Sequence, residues 1–254
     1  MKPNRVKQAL REGKFQLGVN FGQFRSPEIA RLFAAAGFHW AFLDTEHGGF
    51  DLETVQDICR VANLVGLCPL VRVADLQYAL VARALDCGAQ GVIFPRVESP
   101  ELLATAVSWA RFPPEGVRGY GLMAVHIGYE KASFSEIIRH HNDSTMVVLQ
   151  IETKRAVEAR RELLAVPGLD AVMVGPADLS ISLGVPGEFL HPKVVEAIEQ
   201  VREACLEAGV APGIQTRSAD LAAFWKARGM RFVGCGSEAG MLHERACQIA
   251  AELL

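Results

Sequence analysis

Nothing in the 254 residues forms an apolar stretch long enough to span a membrane. Neither sign of charge dominates: 26 Lys and Arg stand against 29 Asp and Glu, interspersed, for a net charge of −3. That balance excludes a polybasic nucleic-acid surface and a charged membrane-docking face. The six cysteines (59, 68, 87, 205, 235, 247) include no CxxC pair and no metal-ligand spacing, and several lie in apolar runs. A thiolate metal site is therefore excluded, and reduced, buried thiols in a cytoplasmic protein are expected. The start, Met1-Lys2-Pro3-Asn4-Arg5, is basic but leads into an amphipathic segment and not a signal-peptide core. Linkers, low-complexity segments and useful internal repeats are absent too. With half the residues hydrophobic, the expectation is one domain over 1–254.

Two further absences narrow the chemistry. The lysines (2, 7, 14, 131, 154, 193, 226) all fall outside predicted strands, which disfavours an imine-forming enzyme that needs a lysine inside a barrel. The full Gly-rich turn of a dinucleotide-binding fold is missing after the first strand, which disfavours a doubly wound open sheet.

What is present organises itself around residues 146–180. Val147-Val148-Leu149 and Ile151 form one apolar run and Ala171 to Val174 another, with about a dozen charged, helix-forming residues between them. This is a βαβ unit with parallel strands buried on both faces. Glu152 and Asp178 then lie just past the carboxyl ends of neighbouring strands, roughly 5 Å apart. Each acid alone reads equally as a helix cap. Together they repel unless a proton or cation is shared, and oxygen-only ligation suits Mg²⁺ or Mn²⁺. Gln150, on the same side of its strand as Glu152, is a polar side chain inside an apolar run and needs a partner.

The same rhythm extends along the chain. Strands are predicted at 16–22, 40–43, 69–73, 91–97, 147–151, 171–174, 211–215 and 232–235, alternating with eight helices. Ser26-Pro27-Glu28 and Ser99-Pro100-Glu101 are helix starts, and Gly66 ends a helix. Eight such units over this length predict a (β/α)8 barrel. Only 112–144, rich in Gly and Pro, breaks the pattern, and a connection that long is usually functional.

In a barrel the loops after the strands hold the active site. Polar residues there are Asp44, Glu46 and His47 after the second strand, Arg72 at the third, Gln150 and Glu152 after the fifth, and Asp178 after the sixth. A carboxylate pair, a His that titrates near neutrality and an Arg are the parts needed to form and stabilise an enolate. Taken alone, His47 reads as a surface loop residue and Arg72 equally as a barrel-mouth salt bridge. His140, His141 and His191 read as solvated helix-end residues. Gly234-Cys235-Gly236-Ser237 with Gly240 fits either a phosphate loop or tight packing.

These residues resemble the metal-dependent (class II) pyruvate aldolases, which cleave 2-keto-3-deoxy sugar acids and 4-hydroxy-2-oxo-heptanedioate, within the phosphoenolpyruvate/pyruvate barrel superfamily. The resemblance spans nearly the whole chain. It is carried by Asp44-Thr45-Glu46-His47, Val71-Arg72, Arg111 to Gly119, Gln150-Ile151-Glu152-Thr153 and Gly175-Pro176-Ala177-Asp178-Leu179-Ser180. It implies reversible retro-aldol cleavage to pyruvate and an aldehyde through a metal-bound pyruvate enolate, with Mg²⁺, Mn²⁺ or Co²⁺ and no organic cofactor. Glu152 and Asp178 would ligate the metal, and Arg72 would meet the pyruvate oxygen. His47 would be the base, oriented by Asp86 of a neighbouring subunit, with Asp44 and Glu46 in support. Gln150 and the backbone of Gly175, Ala177 and Asp178 would hold pyruvate. The resemblance also implies a homo-oligomer, a hexamer whose subunits exchange the last helix, about 238–254.

The sequence departs from the family at 121–130, where Leu122, Met123 and His126 stand in an apolar stretch. If this insert lines the aldehyde end, neutral aldehydes are accepted broadly and anionic ones poorly. Two other readings remain. A malyl or citramalyl thioester lyase would want an Arg/Lys cluster at the mouth, and a non-catalytic keto-acid-binding barrel has no need of His47 beside the carboxylate pair.

Overall fold

The computed structural model describes residue 1 and residues 3–254; Lys2 lies outside the described residues. Eight parallel strands close into a barrel in chain order: β1 (Gln16–Phe21), β2 (Trp40–Asp44), β3 (Cys68–Arg72), β4 (Gly91–Phe94), β5 (Met146–Ile151), β6 (Ala171–Val174), β7 (Gly213–Thr216) and β8 (Phe232–Ser237). The expected (β/α)8 architecture is present. Boundaries differ where proline intervenes. Pro95 follows the end of β4, three residues short of the expected 97, and Pro212 delays β7 to Gly213, leaving Ala211 as an isolated bridge to Ala171.

Strand parity decides what faces inward. Trp40 and Phe42, Cys68 and Leu70, Met146 and Val148, and Ala171 and Met173 form the barrel interior with Ile93 and Phe232. The alternate residues, such as Ala41, Leu43, Val71, Val147, Leu149 and Val172, pack outward against the helices. Trp40 stacks on Phe232 with ring centroids 3.9 Å apart. That stack needs the bare backbone of Gly18, where a Cβ would lie 2.0 Å from the indole. Gly234, within β8, packs against Trp40 and Gln215, so this glycine serves close packing.

More helices occur than the eight expected. The opening segment is α1 (Arg5–Arg11), capped by Asn4, whose side chain accepts from the Lys7 N–H. Val6 and Leu10 of α1 enter the interior cluster. Asn4 donates to the Gln90 carbonyl and Lys7 Nζ to the Thr145 carbonyl, and these residues immediately precede β4 and β5. α1 therefore plugs the amino-terminal end of the barrel, its floor. Lys7 is a buried lysine inside the fold after all, paired with Asp170 at 3.1 Å. It lies roughly 20 Å from the opposite strand ends. Burial lowers its pKa, and Asp170 works against that shift.

Candidate active site

Continuing the inward parity to the carboxyl ends of the strands places Asp44 above Phe42, Arg72 above Leu70, Gln150 above Val148 and Glu152 just beyond. All four are buried. Arg72 grips Asp44 with two parallel bonds, Nε to Oδ1 at 3.0 Å and Nη2 to Oδ2 at 2.6 Å. Its remaining nitrogen Nη1 lies 3.1 Å from Glu46 Oε2 and donates to Gln150 Oε1 at 3.4 Å. Gln150 in turn donates to Glu152 Oε2. The polar residue inside the β5 apolar run thus bridges the arginine and the carboxylate. Asp44 also accepts the main-chain N–H groups of Glu46 and His47, which folds the loop after β2 over the barrel. Thr45 donates to the Arg72 carbonyl and ties this loop to β3.

The electrostatics of the two buried acids differ in sign. Burial raises the Asp44 carboxyl, but the Arg72 hydrogen bonds and charge, with the two loop N–H groups, outweigh it and hold Asp44 below the usual range. Glu152 is pushed up by burial first, then by the charges of Glu46 and Asp178, against the opposing Gln150 bond and Arg72. Asp178 stands exposed in the first turn of α9 (Pro176–Ser182). Glu46 Oε2 is buried and ion-paired with Arg72 Nη1 at 3.1 Å, though without a well-aligned hydrogen bond. Gly175 leaves the space beside Glu152 open: a Cβ there would sit 2.9 Å from Glu152 Oε2 and 3.1 Å from Gln150 Nε2. Crowded carboxylates and a bare backbone fit a hard divalent cation. No group of three or more His, Cys, Asp or Glu side chains forms a metal cluster among the described residues.

His47 stands at the rim, its side chain 61% exposed and Nε2 3.8 Å from Glu46 Oε1. Asp86 makes no hydrogen bond or ion pair with it among the described residues. It ends α4 (Tyr78–Asp86), pairs with Arg118 at 2.7 Å and accepts His126 Nε2 on its carbonyl. The insert carrying Leu122, Met123 and His126 follows α5 (Pro100–Trp109), so it emerges after a helix and not after a strand. It packs along α4, with Gly119 donating to the Tyr78 hydroxyl and Leu122 in a small cluster with Phe112 and Ile137. Among the described residues no hydrogen bond or ion pair links it to Asp44, Glu46, His47, Arg72, Gln150, Glu152 or Asp178. His141 is another departure from expectation. It packs edge-on against Phe112, and burial, then the nearby Arg118, His140 and His126, lower its pKa to about 3. His191 caps α10 (Pro192–Ala208) as expected.

Two residues at the mouth escaped the sequence reading. Arg96, after β4, holds a left-handed backbone (φ 58°) and donates its main-chain N–H to Glu152 Oε1 at 3.0 Å. Glu238, opening α12 (Glu238–Leu253), gathers the N–H groups of Gly22, Gln23 and Phe24 on one oxygen and fixes the loop after β1. Neither carried a motif. Only the placement of each just past a strand end was a usable signal.

The profile of the HpcH/HpaI aldolase/citrate lyase family matches residues 19–244. The chain is 34% identical to a 4-hydroxy-2-oxovalerate aldolase of Rhodococcus jostii (strain RHA1) over 98% of this chain and 95% of the relative. It is likewise 34% identical to a 4-hydroxy-2-oxo-heptane-1,7-dioate aldolase of Shigella sonnei (strain Ss046), over 98% and 94% of the two chains. Among solved structures it superposes on an HpcH/HpaI aldolase from Desulfitobacterium hafniense DCB-2 with a TM-score of 0.93 and 32% identity, covering 97% of this chain and 95% of the other.

Proposed function

The chain belongs to the HpcH/HpaI aldolase/citrate lyase family, and from that premise we propose that its mouth cleaves 4-hydroxy-2-oxo acids to pyruvate and an aldehyde. It is a carbon–carbon lyase acting on a small-molecule substrate. The observation that carries the reading is the convergence of Arg72, Asp44, Glu46, Gln150 and Glu152 at the carboxyl ends of β2, β3 and β5.

Glu152 and Asp178 would hold a divalent ion, Mg²⁺, Mn²⁺ or Co²⁺, and no organic cofactor is needed for the reaction. When bound, the ion supplies Lewis-acid polarisation of the 2-oxo group. Asp44 locks the guanidinium plane of Arg72, so the arginine presents a fixed donor to the oxygen that gains charge. In cleavage, His47 takes the 4-hydroxyl proton, the C3–C4 bond breaks, and its electron pair moves onto the pyruvate enolate. The aldehyde leaves, and C3 is then reprotonated. Gln150 and the backbone of Gly175, Ala177 and Asp178 hold the pyruvate end.

The oligomer belongs to the same proposal. In α12, Glu238 is the buried residue, while Leu242, Ile249 and Leu253 are exposed. Beside its first turn, Phe24, Ile29, Leu32, Phe33, Met241 and Leu242 line a groove of about 400 Å³. A second copy would cover these surfaces, in keeping with a homo-hexamer that exchanges its last helix. Arg118 and His126 tie the insert to Asp86. If Asp86 orients a neighbour's His47, then Leu122, Met123 and His126 travel with it to that neighbour's aldehyde end.

The test is pyruvate release from a panel of 4-hydroxy-2-oxo acids. Activity is expected with divalent metal and lost on EDTA treatment. Undiminished turnover after EDTA, or a pyruvate adduct trapped by borohydride, contradicts the proposal.

A further inference from the structure

We infer that Arg96 determines specificity: its guanidinium recognises a carboxylate at the far end of the aldehyde half of the substrate. The inference rests on the aldolase reading and goes beyond it in naming the residue and the chemistry it selects.

Arg96 sits two residues past β4 in a left-handed conformation (φ 58°), which disfavours any side chain with a Cβ. That strain has a structural return, because the conformation sets the Arg96 N–H on Glu152 Oε1 at 3.0 Å. The Cα of Arg96 is thereby fixed at the edge of the carboxylate cluster. Its side chain is not used in the same way. It is 70% exposed, and its nearest opposite charge is Glu46 Oε1 at 3.9 Å. Among the described residues it donates no side-chain hydrogen bond, so the whole planar fork of donors stays open.

Other cations around the mouth are buried, lie beside acids outside the Glu46–Glu152 cluster, or make no contact with it among the described residues. Arg72 is buried on Asp44 and Glu46. Arg155 lies 3.7 Å from Glu98, Lys154 3.8 Å from Glu158, and Arg25 donates to the Gly49 carbonyl. Arg217, after β7, makes no contact with the mouth carboxylates among the described residues.

Position then decides which part of the substrate Arg96 meets. Glu46 is shared by Arg96 and His47, so the guanidinium flanks the base. The 2-oxo end belongs to Glu152, Gln150 and Gly175. Atoms beyond the 4-hydroxyl extend past His47, towards Arg96. A second anionic group entering a mouth crowded with carboxylates is repelled unless a cation receives it, and the arginine fork matches a carboxylate in two-point geometry. This is the opposite of the selectivity expected if the apolar insert lines the aldehyde end.

The experiment is calorimetric binding of two 2-oxo acids of equal chain length, 2-oxoglutarate and 2-oxopentanoate, to the metal-loaded protein. Wild type is expected to prefer 2-oxoglutarate by about 10- to 100-fold, the range of a charge-assisted hydrogen bond. Arg96→Gln should bring that ratio near one, and Arg96→Lys should retain part of it. Arg96→Gly takes the left-handed backbone without strain and keeps the N–H on Glu152, so it must lose the preference as fully as Arg96→Gln. A wild type without preference overturns the inference. So does a ratio that survives in Arg96→Gln and Arg96→Gly while both ligands weaken together, because the guanidinium then only offsets Glu46 and Glu152. Failure of the aldolase reading looks different: neither 2-oxo acid binds, and the inference falls with it.

Discussion

At its floor the barrel buries Lys7 against Asp170, and at its mouth it buries Arg72 against Asp44. Both pairs bridge elements distant in sequence, yet their surroundings differ in one respect. On the floor, Lys7 also donates to the Thr145 carbonyl, and Asp170 accepts the Val147 N–H and has Arg11 and Arg111 at 3.8 Å. Three cations share one carboxylate there, and the hydrogen-bonding groups of Lys7 and Asp170 have protein partners. At the mouth the Arg72–Asp44 pair is equally well made, but around it the charges of Glu46 and Asp178 crowd Glu152, which is held above its ordinary range, and Arg96 keeps open donors. A saturated ion pair serves the fold, and an unsaturated one leaves chemistry for a ligand to complete. This matches the division in which the amino-terminal face of a barrel stabilises and the carboxyl-terminal face reacts.

Substitutions at the two ends should separate these roles. The largest effect is expected for Glu152→Gln, which should lower kcat by on the order of 10³-fold or more and weaken metal retention. Metal content after gel filtration and the cleavage rate check it, and the melting temperature should hold or rise because a crowded carboxylate is gone. Lys7→Met is the counterpart. Leaving Asp170 without its closest partner should cost roughly 3 kcal/mol of stability, read by denaturant unfolding, with kcat/KM of the folded protein intact. A Lys7 variant that folds well but fails to turn over would break the comparison. Arg72→Lys should reduce kcat by about 10²-fold, because an ammonium cannot reproduce the forked grip on Asp44 while meeting the substrate oxygen. Retention of most activity would make Arg72 a second structural pair like the one below.

The smallest effect is expected at neither end. The His141 pKa is about 3 in the folded chain against 6.5 for an ordinary histidine. The unfolded chain therefore binds this proton more readily. The stability owed to neutral His141 is whole above about 6.5 and declines as pH falls from there towards about 3. Arg118, His140 and His126 face it and oppose its protonation. Urea unfolding of wild type and His141→Phe between pH 7 and pH 5 should show a shallower acid decline in the variant; parallel curves would contradict the assignment.

Much of the mouth was legible in the sequence because strand parity and strand ends are written in the apolar pattern. Asp44, Arg72 and Gln150 fall on the inward register, and Glu152 and Asp178 just past strand ends. Gln150, anomalous inside an apolar run, finds its partners in Arg72 and Glu152. The position of the insert was legible too. Ser99-Pro100-Glu101 opens a helix before it, so the connection begins at the helix's end and not at the mouth. Other parts were hidden for physical reasons. Arg96 acts through a main-chain N–H in a left-handed conformation, which side-chain chemistry does not announce. Lys7 is buried by α1 folding across the floor, a long-range event that no strand pattern contains. Glu238 looks like any acid in a first helical turn until its three N–H partners from the loop after β1 are seen.

The central claim is that the unsaturated mouth, and not the buried lysine below it, activates pyruvate. Exchange of the pyruvate methyl protons in D₂O, followed by NMR on metal-stripped and metal-reloaded protein, tests it without any choice of aldehyde. The account predicts exchange only after a divalent ion is restored. Exchange at an undiminished rate in the stripped protein would contradict it.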